Sequence, residues 1–333
     1  MPPRAREIGT LFAVCVAGAV VVLATATPTP HPRPTRPTLA TAEGSTSPPA
    51  ASATSSGALP SARSASSADS GGPGRIKGCQ IEDRGWGRYA PPWRSLGVAG
   101  ARLMVPQQMP ELRYDLLLHF HGGEAVRKLV APADLGVAVA TVDAGQSSSA
   151  YGKALSDPQI IDALLTRVAE VFAPAKRRNL IISSWSAGYA AVREILRQQP
   201  TLAQAVVVLD GVHASYTDDG STLRPSDVSP FSALAKRARA EEALLVLTHS
   251  EIRPPGYAST KRVADYLLDQ LGAQRRYAGL IAVQPGVRLK THYAAGKLKV
   301  FGYTGSDRHA HCVQLSLLPE LLKTHVLPHV AAR

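Results

Sequence analysis

The chain has 333 residues, and its 37 Lys and Arg exceed its 25 Asp and Glu to give a formal net charge of +12. Basic residues form runs only at 176–178 and 236–239, without the interleaved aromatic residues of a nucleic-acid-binding surface, so nucleic acid is not the expected partner. The positive charge instead predicts attraction to anionic surfaces of the cell envelope.

The first 26 residues have the pattern of an export signal. Arg4 and Arg6 precede a charge-free run over 8–26 that is rich in Val, Ala and Leu and ends in an Ala-Thr-Ala sequence. This pattern predicts a cleaved signal peptide. Because the run approaches the roughly 20 apolar residues that span a bilayer, an uncleaved membrane anchor is the alternative. We therefore expect a secreted, periplasmic or cell-surface protein.

Residues 27–74 consist mainly of Pro, Ser, Thr, Ala and Gly, with almost no large apolar side chains. Such a segment cannot bury enough surface to offset the entropy of ordering, so it is predicted to be a disordered linker. Residues 75–333 are then long enough to form one substantial core, and we expect them to be a single domain.

Two cysteines remain outside the predicted signal, Cys79 and Cys312. An exported chain reaches an oxidising compartment, where a disulfide between them is stable. The sequence leaves two possibilities open, a bridge or two separate buried thiols, because pairing depends on three-dimensional distance.

Short apolar runs alternate with helical patterns along the domain. Such continuous runs are typical of strands buried on both faces. They lie at 116–120, 137–142, 180–182, 205–209, 243–247 and 298–303. Helices are predicted from Pro158 to Pro174, from 187 to Pro200, and from Thr260 to Gly272. The alternation predicts an α/β fold with a mostly parallel central sheet and helices on both faces, with ligands bound at the carboxyl ends of the strands.

A serine lies where the third of these strands turns into a helix. Ser186 is flanked two residues away on either side by the small residues Ser184 and Gly188, as a sharp strand-to-helix turn requires. The sequence SWSAG over 184–188 resembles the nucleophile elbow of the α/β-hydrolase family, although that family more often has glycine in place of Ser184. The resemblance implies the α/β-hydrolase fold, with Ser186 as the nucleophile.

A glycine loop that contains Gly122 and Gly123 precedes Ser186 in the chain. In lipases and esterases of that family, the oxyanion loop likewise precedes the nucleophile. The resemblance implies that the amides of Ala187 and of Gly122 or Gly123 stabilise a negatively charged carbonyl oxygen. Glu124 stands where some members have another glycine, so the identity of the inward-pointing amide stays open. No dissociable cofactor is implied.

The resemblance also places a catalytic histidine late in the chain, before the closing helix. His311 occupies this position, and His309 is the alternative. These histidines and the pair His119 and His121 match no recognisable zinc motif, so no metal is predicted.

A carboxylate must orient the histidine. Asp210 is preferred because it ends an uninterrupted apolar strand and precedes Gly211, while Glu251 follows the next strand and Asp307 is a third candidate. Together these residues predict a serine esterase that forms an acyl-enzyme on a small-molecule or polymer ester. An amidase or peptidase of the same fold is the nearest alternative, and a non-catalytic surface binding module is the other. The segment 212–240 is expected to form a short polar cover, and the sequence carries no signal for the oligomeric state.

Overall fold

The computed structural model describes residues 79–330. The predicted export signal and linker lie outside the described residues, and their boundaries stay predictions. Within the described residues, no helix is both long and apolar enough to cross a membrane.

The secondary structure of the described residues comprises ten strands and nine α-helices. The strands are β1 (Tyr89–Ser95), β2 (Ala101–Pro106), β3 (Arg113–Phe120), β4 (Ala138–Val142), β5 (Lys176–Trp185), β6 (Ala205–Leu209), β7 (Leu244–His249), β8 (Arg276–Gln284), β9 (Val287–Ala295) and β10 (Leu298–Tyr303). The helices are α1 (Gly123–Val130), α2 (Ser148–Ala154), α3 (Pro158–Phe172), α4 (Tyr189–Gln198), α5 (Pro225–Arg239), α6 (Thr260–Asp269), α7 (Arg308–Ser316), α8 (Leu318–Leu321) and α9 (Leu327–Val330). A 3-10 turn at Ser186–Gly188 leads into α4, and a π-helical stretch at Leu322–Val326 joins α8 to α9.

All ten strands form one sheet in the order β1-β2-β4-β3-β5-β6-β7-β10-β9-β8. The six central strands β4, β3, β5, β6, β7 and β10 are parallel. Antiparallel pairing adds β2 and β1 at one end of the sheet and β9 and β8 at the other. The predicted mostly parallel sheet is therefore confirmed.

Each of the six predicted strands lies in the parallel centre of the sheet. Every residue of β4, β6 and β7 is buried, because both faces of the sheet are covered by helices. Alternate strand residues contribute to two apolar clusters, one shared with α2 to α6 and the other with α1 and α7 to α9. The four outer strands were not predicted, although β8 contains an uninterrupted apolar run from Tyr277 to Val283. On β8, Tyr277 and Ile281 are exposed.

Two predicted helix starts are confirmed by their caps. The Asp157 carboxylate accepts a hydrogen bond from the amide of Gln159 at the start of α3, and Ser259 caps α6 in the same way. The expected polar cover over 212–240 is wrong for its second half. That half is α5, which buries Val228, Phe231 and Leu234 against the sheet, so only the preceding loop can act as a cover.

A disulfide joins Cys79 to Cys312, with the two Cα atoms 5.3 Å apart. The bridge attaches the first described residue to α7, which also carries His311. Cys79 is buried in the apolar cluster on the α7 side of the sheet. The sequence left open a disulfide or two separate thiols, and the structure contains the disulfide.

Candidate active site

Three neighbouring strands each end in a non-glycine residue with a positive φ. His121 follows β3 with a φ of 76°, Ser186 follows β5 with 49°, and Asp210 follows β6 with 44°. Such a backbone conformation costs roughly 1–3 kcal/mol per residue and is concentrated at functional sites. Because these strands are adjacent and parallel, the three strained residues lie side by side at the carboxyl edge of the sheet.

The turn around Ser186 depends on two glycines. A Cβ atom on Gly188 would lie 2.2 Å from the carbonyl oxygen of Phe120, so only glycine lets the turn pack against the end of β3. A Cβ atom on Gly211 would lie 2.8 Å from the carbonyl oxygen of Ser186. Ser184 is tolerated in a fully buried position, although its hydroxyl has no hydrogen-bond partner. The elbow predicted from the sequence is therefore present, with the residue after Asp210 packed directly against it.

Asp210 and His311, 101 residues apart in sequence, are in direct contact. His311 Nδ1 lies 2.7 Å from Asp210 Oδ2. The other carboxylate oxygen accepts hydrogen bonds from the amide of Ser250 at 2.8 Å and from Thr260 Oγ1 at 2.6 Å. The burial of Asp210 would raise its pKa, but the hydrogen bonds from His311, Thr260 and Ser250 lower the pKa to about 2. The charged carboxylate therefore favours the tautomer of His311 that has its proton on Nδ1, which leaves Nε2 as a hydrogen-bond acceptor.

The other candidates for base and acid have different partners. Glu251 binds Lys290 Nζ at 2.6 Å. Asp307 caps α7 by accepting the amide of Ala310 at 2.9 Å. The exposed His309 donates from Nε2 to the carbonyl oxygen of Pro285 at 2.8 Å. Of the predicted acids and bases, the structure thus brings together Asp210 and His311.

Trp185 connects the elbow to the helix that carries His311. Its ring centroid lies 4.6 Å from that of His311, and its Nε1 donates to the His311 carbonyl oxygen at 3.0 Å. Within residues 79–330, no hydrogen bond joins the partly exposed Ser186 hydroxyl to His311. Catalytic hydrogen bonds are often long in a free enzyme and tighten when substrate binds.

The predicted oxyanion donors Gly122 and Gly123 have another acceptor. Their amides donate to the carboxylate of Asp143, at 2.8 Å from Gly122 and 3.2 Å from Gly123. A carboxylate is favoured at this place because the two amides lie at the N-terminus of α1. The assignment of these amides to the oxyanion hole is corrected accordingly. The Ala187 amide lies in the first turn after Ser186, where amides lack an acceptor within the helix, and stays a candidate donor.

Two further histidines at this edge, His119 and His121, have structural contacts. His119 is fully buried, its ring bound to Ser183 Oγ at 2.7 Å and to the His121 carbonyl oxygen at 2.8 Å, and burial lowers its pKa to about 4. His121 Nδ1 contacts the Tyr151 hydroxyl at 2.9 Å, and its ring stacks on Trp185. Within the described part of the chain, no cluster of His, Cys, Asp and Glu could hold a metal ion.

Asp143, Ser250 and Thr260 contribute to the site but were not singled out from the sequence. Asp210 was preferred because it lies directly after an apolar strand. Asp143 also lies directly after a predicted strand, so the same criterion applies to it. Thr260 and the Ser250 amide carried no such signal, because their contact with Asp210 forms only when three segments meet.

The strand order and the elbow define the class of this protein: the described residues have the α/β-hydrolase fold. No protein-family model matches the sequence, and no curated protein sequence matches it either.

Solved structures similar to this chain include a thermostable esterase, Est1E from Butyrivibrio proteoclasticus and the acylaminoacyl peptidase of Pyrococcus horikoshii. Their sequence identities are 14%, 13% and 16%, with TM-scores of 0.40, 0.40 and 0.42. The matches cover 70%, 69% and 72% of this chain, and 58%, 94% and 42% of those chains. The chain therefore spans about half the length of two of these proteins.

Proposed function

We propose that this protein is a serine hydrolase that cleaves carboxylic esters, with Ser186 as nucleophile, His311 as general base and Asp210 as the orienting acid. The observation that carries the proposal is the 2.7 Å contact between His311 and the buried Asp210, next to a serine on a strained strand-to-helix turn. Nucleophilic acyl transfer requires a carboxylate, an imidazole that the carboxylate orients and an accessible serine hydroxyl. Asp210, His311 and Ser186 are proposed to supply these three groups.

The reaction follows from these positions. Ser186 Oγ bonds to the ester carbonyl carbon while His311 Nε2 accepts the hydroxyl proton. The negative charge on the carbonyl oxygen is stabilised by the Ala187 amide. When the tetrahedral intermediate collapses, the bond to the leaving oxygen breaks and His311 returns the proton to that oxygen, which releases the alcohol. Water then attacks the acyl carbon while His311 Nε2 accepts a proton from it; when the second intermediate collapses, the bond from Ser186 Oγ to the acyl carbon breaks, His311 returns the proton to Ser186 Oγ, and the carboxylic acid leaves.

We further propose that the enzyme works outside the cytoplasm, either released or tethered by the segment 27–74. Support comes from the sequence pattern of the first 26 residues. Residues 79–333 carry 30 Lys and Arg against 22 Asp and Glu, and this positive balance supports residence near anionic envelope polymers. Sequencing of the amino terminus of the exported protein tests the proposal, and a mature chain starting at Met1 contradicts cleavage.

A fluorophosphonate probe tests the central assignment. Such a probe should label the wild-type protein on Ser186 and should not label Ser186→Ala, because only an activated serine attacks phosphorus at a useful rate. A panel of short and long p-nitrophenyl esters should show turnover that Ser186→Ala abolishes. Labelling without ester turnover, followed by cleavage of acyl p-nitroanilides, assigns the protein as an amidase or peptidase.

One observation favours a second candidate, a hydrolase-like binding module without turnover. The Gly122 and Gly123 amides, which would form part of an oxyanion hole, are occupied by Asp143. The absence of serine-dependent labelling in a folded wild-type protein would establish this candidate and exclude the enzyme.

A further inference from the structure

Three cations surround an exposed leucine at the amino ends of β3 and β5. Leu112 lies directly before β3, and its side chain is 78% exposed, the largest fraction among the large apolar side chains of the described residues. Arg113, Lys176 and Arg177, at the starts of the two strands, are exposed as well. Met109, three positions before Leu112, is 41% exposed. We call these five residues the basic-apolar edge.

Backbone pairing brings the two segments of the basic-apolar edge together. The Lys176 amide donates to the Leu112 carbonyl oxygen at 2.8 Å. In the parallel pairing of β3 with β5, Arg113 lies opposite Lys176, and Tyr114 lies opposite Arg177. Paired strands are about 4.8 Å apart, so the three cationic residues are close neighbours around Leu112.

The positive charge of the basic-apolar edge is not neutralised by ion pairs. The next arginine of β5, Arg178, pairs with Asp115, so those two residues add no net charge. The three cations of the edge have no such partner within residues 79–330. Glu111 is an exposed acid next to Leu112, and it offsets only one of the three. The edge therefore keeps a positive charge beside an apolar side chain that faces solvent.

An exposed leucine among cations fits the surface of an anionic phospholipid bilayer. Guanidinium and ammonium groups near such a surface are attracted to the phosphate headgroups, and the attraction increases with each cation. An apolar side chain between the cations gains free energy when it leaves water for the lipid interface. An anionic polymer in water matches the charge but offers no apolar phase to Leu112. The bilayer accounts for both parts of the edge.

The basic-apolar edge lies at the opposite end of β5 from the candidate nucleophile. β5 runs from Lys176 to Trp185, and Ser186 follows it directly. The ten residues of this strand, at about 3.3 Å each, span roughly 30 Å. A bilayer bound at the edge therefore lies at the end of the sheet away from Ser186.

We propose that the basic-apolar edge docks the domain on an anionic phospholipid bilayer, with Leu112 inserted at the interface and the active-site edge of the sheet directed away from it. The inference is independent of the proposed function, because none of the five residues takes part in acyl transfer. Substrates then reach Ser186 from the side of the domain opposite the bilayer.

Co-sedimentation of the full chain with phospholipid vesicles tests the inference. The vesicles contain equal parts of phosphatidylglycerol and phosphatidylcholine. Lys176→Ala/Arg177→Ala should weaken binding by about thirtyfold, because it removes two of the three cations, and high salt should weaken the binding of wild type. Leu112→Ser should weaken binding by about fivefold. The apolar run over 8–26 is the same in every variant, so its contribution cancels in these ratios.

Two matched controls remove similar groups from other places. Arg224→Ala/Arg262→Ala removes two exposed cations at the starts of α5 and α6, and Ile281→Ser removes an exposed apolar side chain from β8. Both controls should bind the vesicles as wild type does. Losses in the controls equal to those in the edge variants would show that only overall charge or hydropathy matters, and would overturn the inference. Thermal melts check that all variants are folded.

A fluorescence measurement locates the contact, whatever other part of the chain binds lipid. Phosphatidylglycerol vesicles with brominated acyl chains should quench Leu112→Trp more strongly than wild type, because the added indole enters the lipid interface. Ile281→Trp is the control and should show no extra quenching. Vesicle binding that Leu112→Ser retains, together with no extra quenching of Leu112→Trp, would indicate a surface for anionic polymers and would reject bilayer docking. Binding that Lys176→Ala/Arg177→Ala retains in full also rejects it.

Discussion

The carboxylate of Asp143 lies 2.8 Å from the amide nitrogen of Gly122 and holds the loop that follows β3. The same carboxylate accepts the amide of Gly123 and pairs with Arg102 at 3.0 Å. It therefore acts as the cap of α1 and occupies two amides that sequence reasoning assigned to the oxyanion.

Replacement of Asp143 by alanine should lower the free energy of unfolding by about 1–2 kcal/mol, because the first amides of α1 lose their acceptor. Chemical denaturation of the purified variant measures the change. Asp218→Ala, at an exposed loop position, is the control and should stay within about 0.5 kcal/mol of wild type. Equal losses in the two variants would contradict a capping role for Asp143.

The assignment of the acid predicts unequal effects for two amide substitutions. Asp210→Asn should lower kcat on a p-nitrophenyl ester by about three to four orders of magnitude, because an amide does not hold the required tautomer of His311. Glu251→Gln should leave kcat within about a factor of two, since Glu251 binds Lys290 on β9. Loss of turnover only in Glu251→Gln would reverse the assignment.

Gly188 should be irreplaceable in the elbow. Gly188→Ala places a Cβ atom 2.2 Å from a backbone oxygen and should destabilise the fold by at least about 3 kcal/mol. Gly152→Ala is the matched control: it lies inside α2 with no atom within 4 Å of the added Cβ, and it should stabilise the protein by about 0.5–1 kcal/mol. Thermal melts of both variants separate backbone overlap from a general effect of alanine.

Burial of His119 should make the protein less stable in mild acid. Its pKa is about 4 in the folded protein and 6.5 in the unfolded chain, so below pH 6.5 only the unfolded chain takes up a proton at this site. The stability contribution is complete above pH 6.5 and is lost as the pH falls towards 4, by about 3 kcal/mol. His119→Gln should therefore show a shallower decrease in unfolding free energy over this range. A decrease equal to that of wild type would show that His119 titrates normally.

The disulfide should contribute to both stability and activity. It closes a loop with a sequence separation of 233, for which the chain-entropy model gives about 5 kcal/mol. Because Cys312 follows His311 directly, Cys79→Ser should also lower kcat by loosening the start of α7. Cys312→Ser and the double variant should match Cys79→Ser in denaturation midpoint, since all three remove the same bond. A non-reducing thiol count of two in denatured wild type would rule the bridge out.

Much of the fold could be predicted from local patterns. The six parallel strands each contain a short, mainly apolar segment because the centre of the sheet is buried on both faces, and that property is visible along the chain. Caps such as Asp157 act on amides two or three residues away, so they too can be recognised locally. The outer strand β9 mixes polar and apolar residues and β1 contains two prolines, so neither has the pattern of a buried strand. β8 has an apolar run, but it lies at the edge of the sheet with Tyr277 and Ile281 exposed.

By itself, the sequence determined the alternation of strands and helices and the position of Ser186 at a tight turn, because hydrophobic periodicity and small residues act over short distances. Only the tertiary structure decided which acid meets His311. Asp143, Asp210 and Glu251 all follow parallel strands, and their positions in the chain do not reveal their partners. The α1 amides bind Asp143 and Lys290 binds Glu251, while Asp210 contacts His311 across 101 residues. Neighbours in a folded sheet come from distant segments, and the periodicity of a segment carries no information about them.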